Sequence, residues 1–375
     1  MISVPTVDEL CKLNQPYNCT AASELLFQHA MQELVFFHIK NTPKYAQWLI
    51  KHHISPENPQ INSWGDLPPI FANYFKHNLL VSHTGNDALE LTSSGTMGQK
   101  SRMRFDERSI NALLNMVDHI FQYYDWVTPK TPCNYLLLSY EPVDSITLGT
   151  TYTDQYLCKY APIKQVVYAL RHTGKGHQFD PLGVIQALQR FSLDDAPVRI
   201  LGFPAFIWFV LEMMQDMQLP PLTLPPDSLT LFGGGWKTYA EQKIPKTTLY
   251  QRLTKQLGII NERCRDGYGA IEHGVPYIEC IHHHFHLPVY AKAWVRDTYS
   301  FEIKGYGKSG FLQLVSPYIT SCPAHSILMS DLAILHRGAE CGCGLGTDWF
   351  QLLGRATQHK TRSCALAASE LHQGK

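Results

Sequence analysis

The chain has 375 residues, 45% of them apolar, with Lys plus Arg and Asp plus Glu both numbering 32. That length supplies a substantial core without disulfide staples, and a formal net charge of zero leaves no global field to draw in nucleic acid or an anionic membrane. Residues 1–14 carry Asp8 and Glu9 and no long apolar run, so neither a secretory signal nor a transit peptide is expected, and the ten cysteines read as reduced thiols of a cytoplasmic protein.

Residues 22–52 place Leu25, Leu26, Met31, Leu34, Val35 and Phe36 at roughly helical spacing, and Pro43 marks a break in that helix. Short apolar runs at 135–138, 165–167, 199–202 and 229–232 then read as strands. They alternate with helix-like stretches that include 109–123 and 181–191, the pattern of an α/β domain. The most apolar stretch, 200–214, contains Pro204 and Glu212 and is too short and broken to cross a bilayer. It reads as a buried strand followed by a helix, and no transmembrane segment is expected. Beyond about residue 271, β-rich segments at 277–280, 289–295 and 310–314, separated by Gly, Pro and Asp turns, predict a β subdomain. No internal repeat or low-complexity tract is present, which excludes solenoid and linker architectures.

One loop stands out for its chemistry: Leu91-Thr92-Ser93-Ser94-Gly95-Thr96-Met97-Gly98-Gln99-Lys100-Ser101. Glycines let backbone N–H groups curl around an anion, the hydroxyls of Ser93, Ser94 and Thr96 donate to phosphate oxygens, and Lys100 or Arg102 balances charge. The spacing is not that of the Walker loop, because Gly95 and Gly98 are three apart and no Gly-Lys-Ser/Thr ending occurs. An ordinary Ser/Gly turn is the plain alternative.

A second constellation combines Glu279-Cys280-Ile281-His282-His283-His284-Phe285-His286 with Cys341-Gly342-Cys343-Gly344. Thiolates and an imidazole can close a tetrahedral zinc site, with Cys280, His286, Cys341 and Cys343 as the preferred set. On a strand, His282, His284 and His286 would face the same side as Cys280 while His283 faced away, so His282 stays open as the imidazole ligand in place of His286. The site would be structural, pinning the β subdomain; unrelated buried thiols and surface histidines are the alternative.

The hydroxyl- and glycine-rich loop resembles the signature of the acyl-adenylating superfamily, which joins acyl- and aryl-CoA ligases, luciferases and peptide-synthetase adenylation domains. Further matches follow in order. Leu231-Phe232-Gly233-Gly234-Gly235-Trp236-Lys237 resembles the glycine loop along the adenine ring. Asp266-Gly267-Tyr268-Gly269-Ala270-Ile271-Glu272 resembles the aromatic-Gly-x-x-Glu motif, in which Tyr268 would stack on adenine beside Gly269 and Glu272 would help hold Mg²⁺ on the phosphates. Asp331 sits where the family binds the ribose hydroxyls, and Gly354-Arg355 resembles the Gly-Arg on the hinge side. Within the superfamily the chain is most similar to the acyl-protein synthetases of the LuxE type, over nearly its full length, and the Cys/His cluster resembles one in phenylacetate-CoA-ligase-like relatives.

The resemblance implies a large adenylate-forming domain, an α/β body plus β subdomain, with a truncated C-terminal appendage. The corresponding segments are 1–85 (helical N-terminal part), 86–332 (body with β subdomain) and 333–375. It implies ATP and Mg²⁺, a structural Zn²⁺, a carboxylic, fatty-acid substrate activated as acyl-AMP, and transfer to a protein cysteine, with a partner reductase or carrier as final acceptor. Cys364 matches the acylated position. Ser363 is a plausible N-cap that would put Cys364 in a first helical turn near Arg362, where helix dipole and cation both lower a thiol pKa. His273, beside Glu272, is a candidate to orient the substrate carboxylate, with a hydrogen-bonded core histidine as alternative. Phe203, Phe206 and Trp208 would line the acyl pocket or simply belong to the core. The pattern departs from the superfamily in three places: Met97 replaces a common Thr, the usual Pro-Lys is absent, and the C-terminal catalytic Lys has no counterpart, Lys360 lying too close to Gly354-Arg355. Two other functions therefore stay open, an aryl- or acyl-CoA ligase and a catalytically silent nucleotide- or acyl-binding module.

Overall fold

The structure is a computed structural model that describes residues 3–82, 88–92, 101–143 and 149–356. Compactness groups the chain into two units. The first comprises Met1–Tyr123, Ala270–Tyr277 and His284–Lys375, the second Tyr124–Gly269 and Ile278–His283. Both are built from non-contiguous segments, so they cut the chain differently from the three segments drawn along the sequence.

The second unit is an α/β layer built on a parallel sheet. Strand Cys133–Tyr140 lies between Ile163–His172 and Val198–Gly202, and Leu229–Phe232 and Cys264–Tyr268 continue the sheet, each pairing parallel to its neighbour. His177–Phe179 folds back antiparallel at one edge. Cys133–Tyr140 is buried at every position but the last, which is why it reads as an unbroken apolar run rather than an alternating one. The helices start where proline and capping chemistry dictate. Pro181 opens Pro181–Ser192 while the Asp180 carboxylate accepts from the Gly183 amide at 2.9 Å, and Pro204 opens Pro204–Asp216. Helix Lys246–Leu257 ends on Gly258 in the left-handed conformation. Ile207, Val210 and Leu211 of the second helix are fully buried against Leu188, Ile200 and Leu253, each contributing about 1.5–3 kcal/mol of burial. The expected buried strand and helix at 200–214 are therefore present, and no helix among the described residues is long and apolar enough to cross a membrane.

The first unit holds an antiparallel sheet in the order Phe285–His286, Trp349–Arg355, Ser326–His336, Ser309–Val315, Lys292–Arg296 and Ile303–Lys304, with Ile70–Phe71 parallel beside Ser326–His336. This is the β-rich part foreseen beyond residue 271, although the sequence pattern did not signal Ser326–His336 or Trp349–Arg355. Helix Ala21–Asn41 starts at a capping box in which the Thr20 hydroxyl accepts from the Ser23 amide and the Ser23 hydroxyl from the Thr20 amide. It stops before Pro43, which opens the next helix, Pro43–Lys51, as the break at Pro43 requires.

A polar network crosses the interior of this unit. His38 Nε2 stands 2.9 Å from the Ile319 carbonyl and must carry the proton. His38 Nδ1 therefore accepts from the Ser82 hydroxyl, also at 2.9 Å, and the Ser82 oxygen is 2.8 Å from the Thr42 hydroxyl. The Tyr45 hydroxyl lies 2.6 Å from His325 Nε2, and the two imidazoles stack at 5.2 Å. Burial pushes the His38 imidazole down to about 3 and that of His325 well below its ordinary range, so both are neutral in the fold. The unfolded chain binds these protons near pH 6.5, so stability is full above that pH and falls as acidification proceeds toward 3. Urea unfolding at pH 7 and pH 5 should show a loss approaching about 1.4 kcal/mol per histidine per pH unit, and His38→Gln should flatten the dependence. An unchanged midpoint in the wild type would contradict the neutral, buried assignment.

Candidate active site and metal centre

The parallel strands of the second unit run toward one edge of their sheet, and loops leaving that carboxyl edge are where open α/β sheets bind ligands. Gly202-Phe203-Pro204 leaves from strand Val198–Gly202, Gly233-Gly234-Gly235 from Leu229–Phe232, and Gly269 from Cys264–Tyr268. Gly202 adopts φ 118°, and a Cβ there would meet the Leu138 carbonyl oxygen at 2.9 Å, so this strand exit requires glycine. Its carbonyl accepts from the Gly233 amide at 3.0 Å. Gly234 and Gly235 follow at φ 70° and 66°, turning the chain without side chains. Phe232 is the register partner of Asp266, so the glycine loop and Gly267-Tyr268-Gly269 leave the sheet side by side. Tyr268 is half-buried and Gly269 exposed, an aromatic ring beside bare backbone, which suits a planar heterocycle. Phe203, Phe206 and Trp208 are all buried members of the core cluster of this unit, packed with Phe179, Tyr140 and Tyr239 near the same edge.

Glu272 and His273 sit in a turn closed by the His273 and Gly274 amides on the Ala270 carbonyl, at 3.0 and 2.6 Å. Both side chains are buried. His273 Nε2 lies 2.8 Å from the Tyr277 hydroxyl, burial pushes the imidazole down to about 3, and Nδ1 has no partner among the described residues. His273 is thus a hydrogen-bonded core histidine on one side and a neutral, unengaged nitrogen on the other.

Asp331 lies within strand Ser326–His336, opposite Arg355 in register, with Arg355 Nε 3.6 Å from its carboxylate. The Arg355 side chain is largely exposed, so this pair adds little stability in water. Ser93, Ser94, Gly95, Thr96, Gly98, Lys100 and Cys364 lie outside the described residues. The strands on either side of that candidate phosphate loop are described: Ala88–Thr92 pairs antiparallel with Arg102–Asp106. The hairpin ends at Asp106, whose carboxylate accepts from the Ser109 amide and the Thr320 hydroxyl, each at 2.7 Å, at the start of helix Glu107–Tyr123.

The structure brings Cys280, His286, Cys341 and Cys343 together, one ligand atom from each lying within 4.8 Å of all the others. His286 is completely buried, and its Nδ1 is 2.7 Å from the Thr347 carbonyl. That nitrogen therefore carries the proton, and Nε2 presents its lone pair 3.3 Å from Cys343 Sγ. The His282 amide donates to Cys280 Sγ at 3.3 Å, and Gly342 and Gly344, at φ 73° and 91°, turn the chain around Cys343. This donor set fits zinc. The alternating-strand reading of 280–286 is corrected, however: residues 281–284 form a turn with His283 in the left-handed region, and only Phe285–His286 is strand. His283 instead accompanies Asn261 at 2.9 Å and Glu279 at 3.6 Å.

Sequence reading missed the surroundings of Glu279. Its carboxylate is fully buried, receives Lys246 Nζ, and accepts from the Tyr250 hydroxyl at 2.9 Å and the Asp266 amide at 2.8 Å. Lys246 also stands 3.4 Å from the Asp266 carboxylate. Lys246 opens helix Lys246–Leu257, and no spacing signal in the sequence ties it to Glu279, 33 positions away.

Two curated relatives are named long-chain-fatty-acid–luciferin-component ligase. The protein of Aliivibrio fischeri is 22% identical over 382 residues, covering 100% of this chain and 96% of its own length. That of Vibrio harveyi is 22% identical over 346 residues, covering 90% and 86%. Among solved structures, a 2-hydroxyisobutyryl-CoA ligase with its adenylate and CoA bound aligns with a TM-score of 0.64 at 15% identity, over 91% of this chain and 70% of that one, a likeness of fold. The model of the family described as acyl-protein synthetase, LuxE, matches residues 1–372, and the chain belongs to that family.

Proposed function

We propose that the protein activates a fatty acid with ATP as an acyl-adenylate and transfers the acyl group to the thiol of Cys364. The observation that carries the nucleotide part is the side-by-side exit of Gly233-Gly234-Gly235 and Gly267-Tyr268-Gly269 from neighbouring parallel strands. In this reading Tyr268 stacks on the adenine over the glycine loop, Ser93, Ser94, Gly95, Thr96, Gly98 and Lys100 hold the phosphates, and Asp331 and Arg355 serve the ribose side. Glu272 would hold Mg²⁺, which neutralises phosphate charge when bound. Its buried carboxylate, in a turn held by two backbone hydrogen bonds, suits that role. His273 Nδ1 orients the acid.

Two displacements follow. A carboxylate oxygen of the acid attacks the α-phosphorus and pyrophosphate leaves; the Cys364 thiolate then attacks the acyl carbonyl and AMP leaves with the C–O electron pair. The thioester is the form handed to a reductase or carrier protein. Reduced thiols are needed for this chemistry, and no disulfide joins cysteines among the described residues. Cys280, His286, Cys341 and Cys343 would hold a structural zinc, which cross-links the segments that carry them.

Three measurements test the reading. Intact mass after incubation with ATP, Mg²⁺ and fatty acids should show a hydroxylamine-labile acyl adduct that Cys364→Ser abolishes. Adenylate without adduct would instead favour coenzyme A or another external thiol, and no turnover with any acid a silent binding module. Tyr268→Ala should weaken apparent ATP affinity roughly tenfold to a hundredfold, from about 1–3 kcal/mol of lost stacking, with little change in the KM for the acid. Metal analysis should find one zinc per chain. Its removal by a chelator should lower the melting temperature, and re-addition should restore it; a chain that melts identically with and without metal has no structural zinc.

A further inference from the structure

Four histidines crowd the segment 282–286, and only His286 joins the ligand set. His284 stands just outside it, with Nδ1 3.0 Å from Cys341 Sγ. Its ring stacks on Trp349 at 3.7 Å and 11°, and His336 stacks on the same indole at 4.1 Å and 10°. Two rings parallel to one indole at these separations must occupy opposite faces, so Trp349 is sandwiched and His284 cannot rotate without losing a full face of contact. The sheet fixes the sandwich. Trp349 is the register partner of His286 in one neighbouring strand and of His336 in the other, placing all three side chains on one face.

We propose that His284 is a positioning residue of the metal centre, an outer-sphere donor whose Nδ1–H bonds the Cys341 sulfur. The inference rests on the zinc reading above and deepens it. A metal-bound thiolate offers only acceptor lone pairs, so the facing nitrogen carries the proton. A charge-assisted hydrogen bond to the sulfur stabilises the thiolate form, orients its lone pairs and withdraws electron density from it. Trp349 supplies the wall that holds the donor in line. His284 thus takes toward a cysteine ligand the part that the Thr347 carbonyl takes toward His286.

The test uses the full-length chain loaded with cobalt(II), whose absorption reports the ligand set, together with zinc competition against a chromophoric chelator. His284→Phe keeps a ring for Trp349 but removes the donor, and His284→Asn places an amide N–H near the position of Nδ1. The expected result for His284→Phe is an unchanged tetrahedral ligand-field envelope, a sulfur-to-cobalt band shifted to lower energy, and zinc affinity weakened about 10–100-fold. His284→Asn should recover most of both. An unaltered band and affinity in His284→Phe would overturn the proposal. So would loss of the tetrahedral envelope, which would make His284 a ligand. A wild-type chain that takes up no stoichiometric cobalt or zinc would remove the metal reading itself and this inference with it, and is told apart from those failures by being seen before any substitution.

Discussion

The carboxylate of Glu279 is completely buried, and a buried charge costs several kcal/mol unless donors surround it. Burial alone would raise its pKa. Hydrogen bonding and charge from His283, Lys246 and Tyr250 outweigh that and hold it below the ordinary carboxylate range. The donors come from places that otherwise have no reason to meet. Lys246 and Tyr250 belong to helix Lys246–Leu257, the Asp266 amide to strand Cys264–Tyr268, and His283 to the turn before the metal cluster. Removing any one would leave the others solvating an ion with too few partners. The strand that ends in Tyr268 is thereby fixed relative to the helix beside it, and Cys280, the next residue after Glu279, inherits that fixed position.

The carboxyl edge, proposed as the nucleotide site, is shaped more by backbone than by side-chain chemistry. Gly202 is glycine because a Cβ there would meet the Leu138 carbonyl, and Gly234 and Gly235 because their turn is left-handed. These are constraints of space and conformation, and they leave bare peptide groups facing outward next to Tyr268. Under the proposed function, catalysis would be mainly placement of two anions, carboxylate and phosphate, against fixed dipoles and cations, and the rigidity supplied around Glu279 would then serve the chemistry as well as the fold.

Much of this was legible in the sequence because the signals were local. Pro43 announces a helix break and 181–191 a helix, the apolar run at 135–138 announces a strand that extends over Cys133–Tyr140, and the glycine and tyrosine motifs fall where strands of that sheet end. The four metal-ligating candidates could be chosen because cysteine and histidine at close spacing have few other uses. What could not be read was long-range. Lys246 meets Glu279 only through the sheet, and Asp331 meets Arg355 only through a register with a bulge between Leu332 and Ala333. The strand alternation assumed for 280–286 failed because left-handed His283 turns the chain, and nothing in a run of histidines reveals a positive φ.

The proposed metal centre lies where backbone pairing is sparse. Phe285–His286 is a strand of two residues, paired only with the start of Trp349–Arg355, and the connection between Gly338 and Asp348 contains a single 3₁₀ turn and four glycines. Segments with so few ladder hydrogen bonds open at low cost. The protein answers with side chains in place of backbone: the Trp349 indole is clasped by two imidazoles, Thr347 holds His286, and three sulfurs gather around Nε2 of that histidine. A zinc held by these four side chains, as proposed, would close loops that backbone pairing leaves open, and the loop from Cys280 to Cys343 would be the longest of them. Closing a long loop removes more freedom from the unfolded chain than closing a short one. A bound zinc would therefore stabilise most through its widely separated ligands, and the closely spaced Cys341 and Cys343 would add little loop closure of their own.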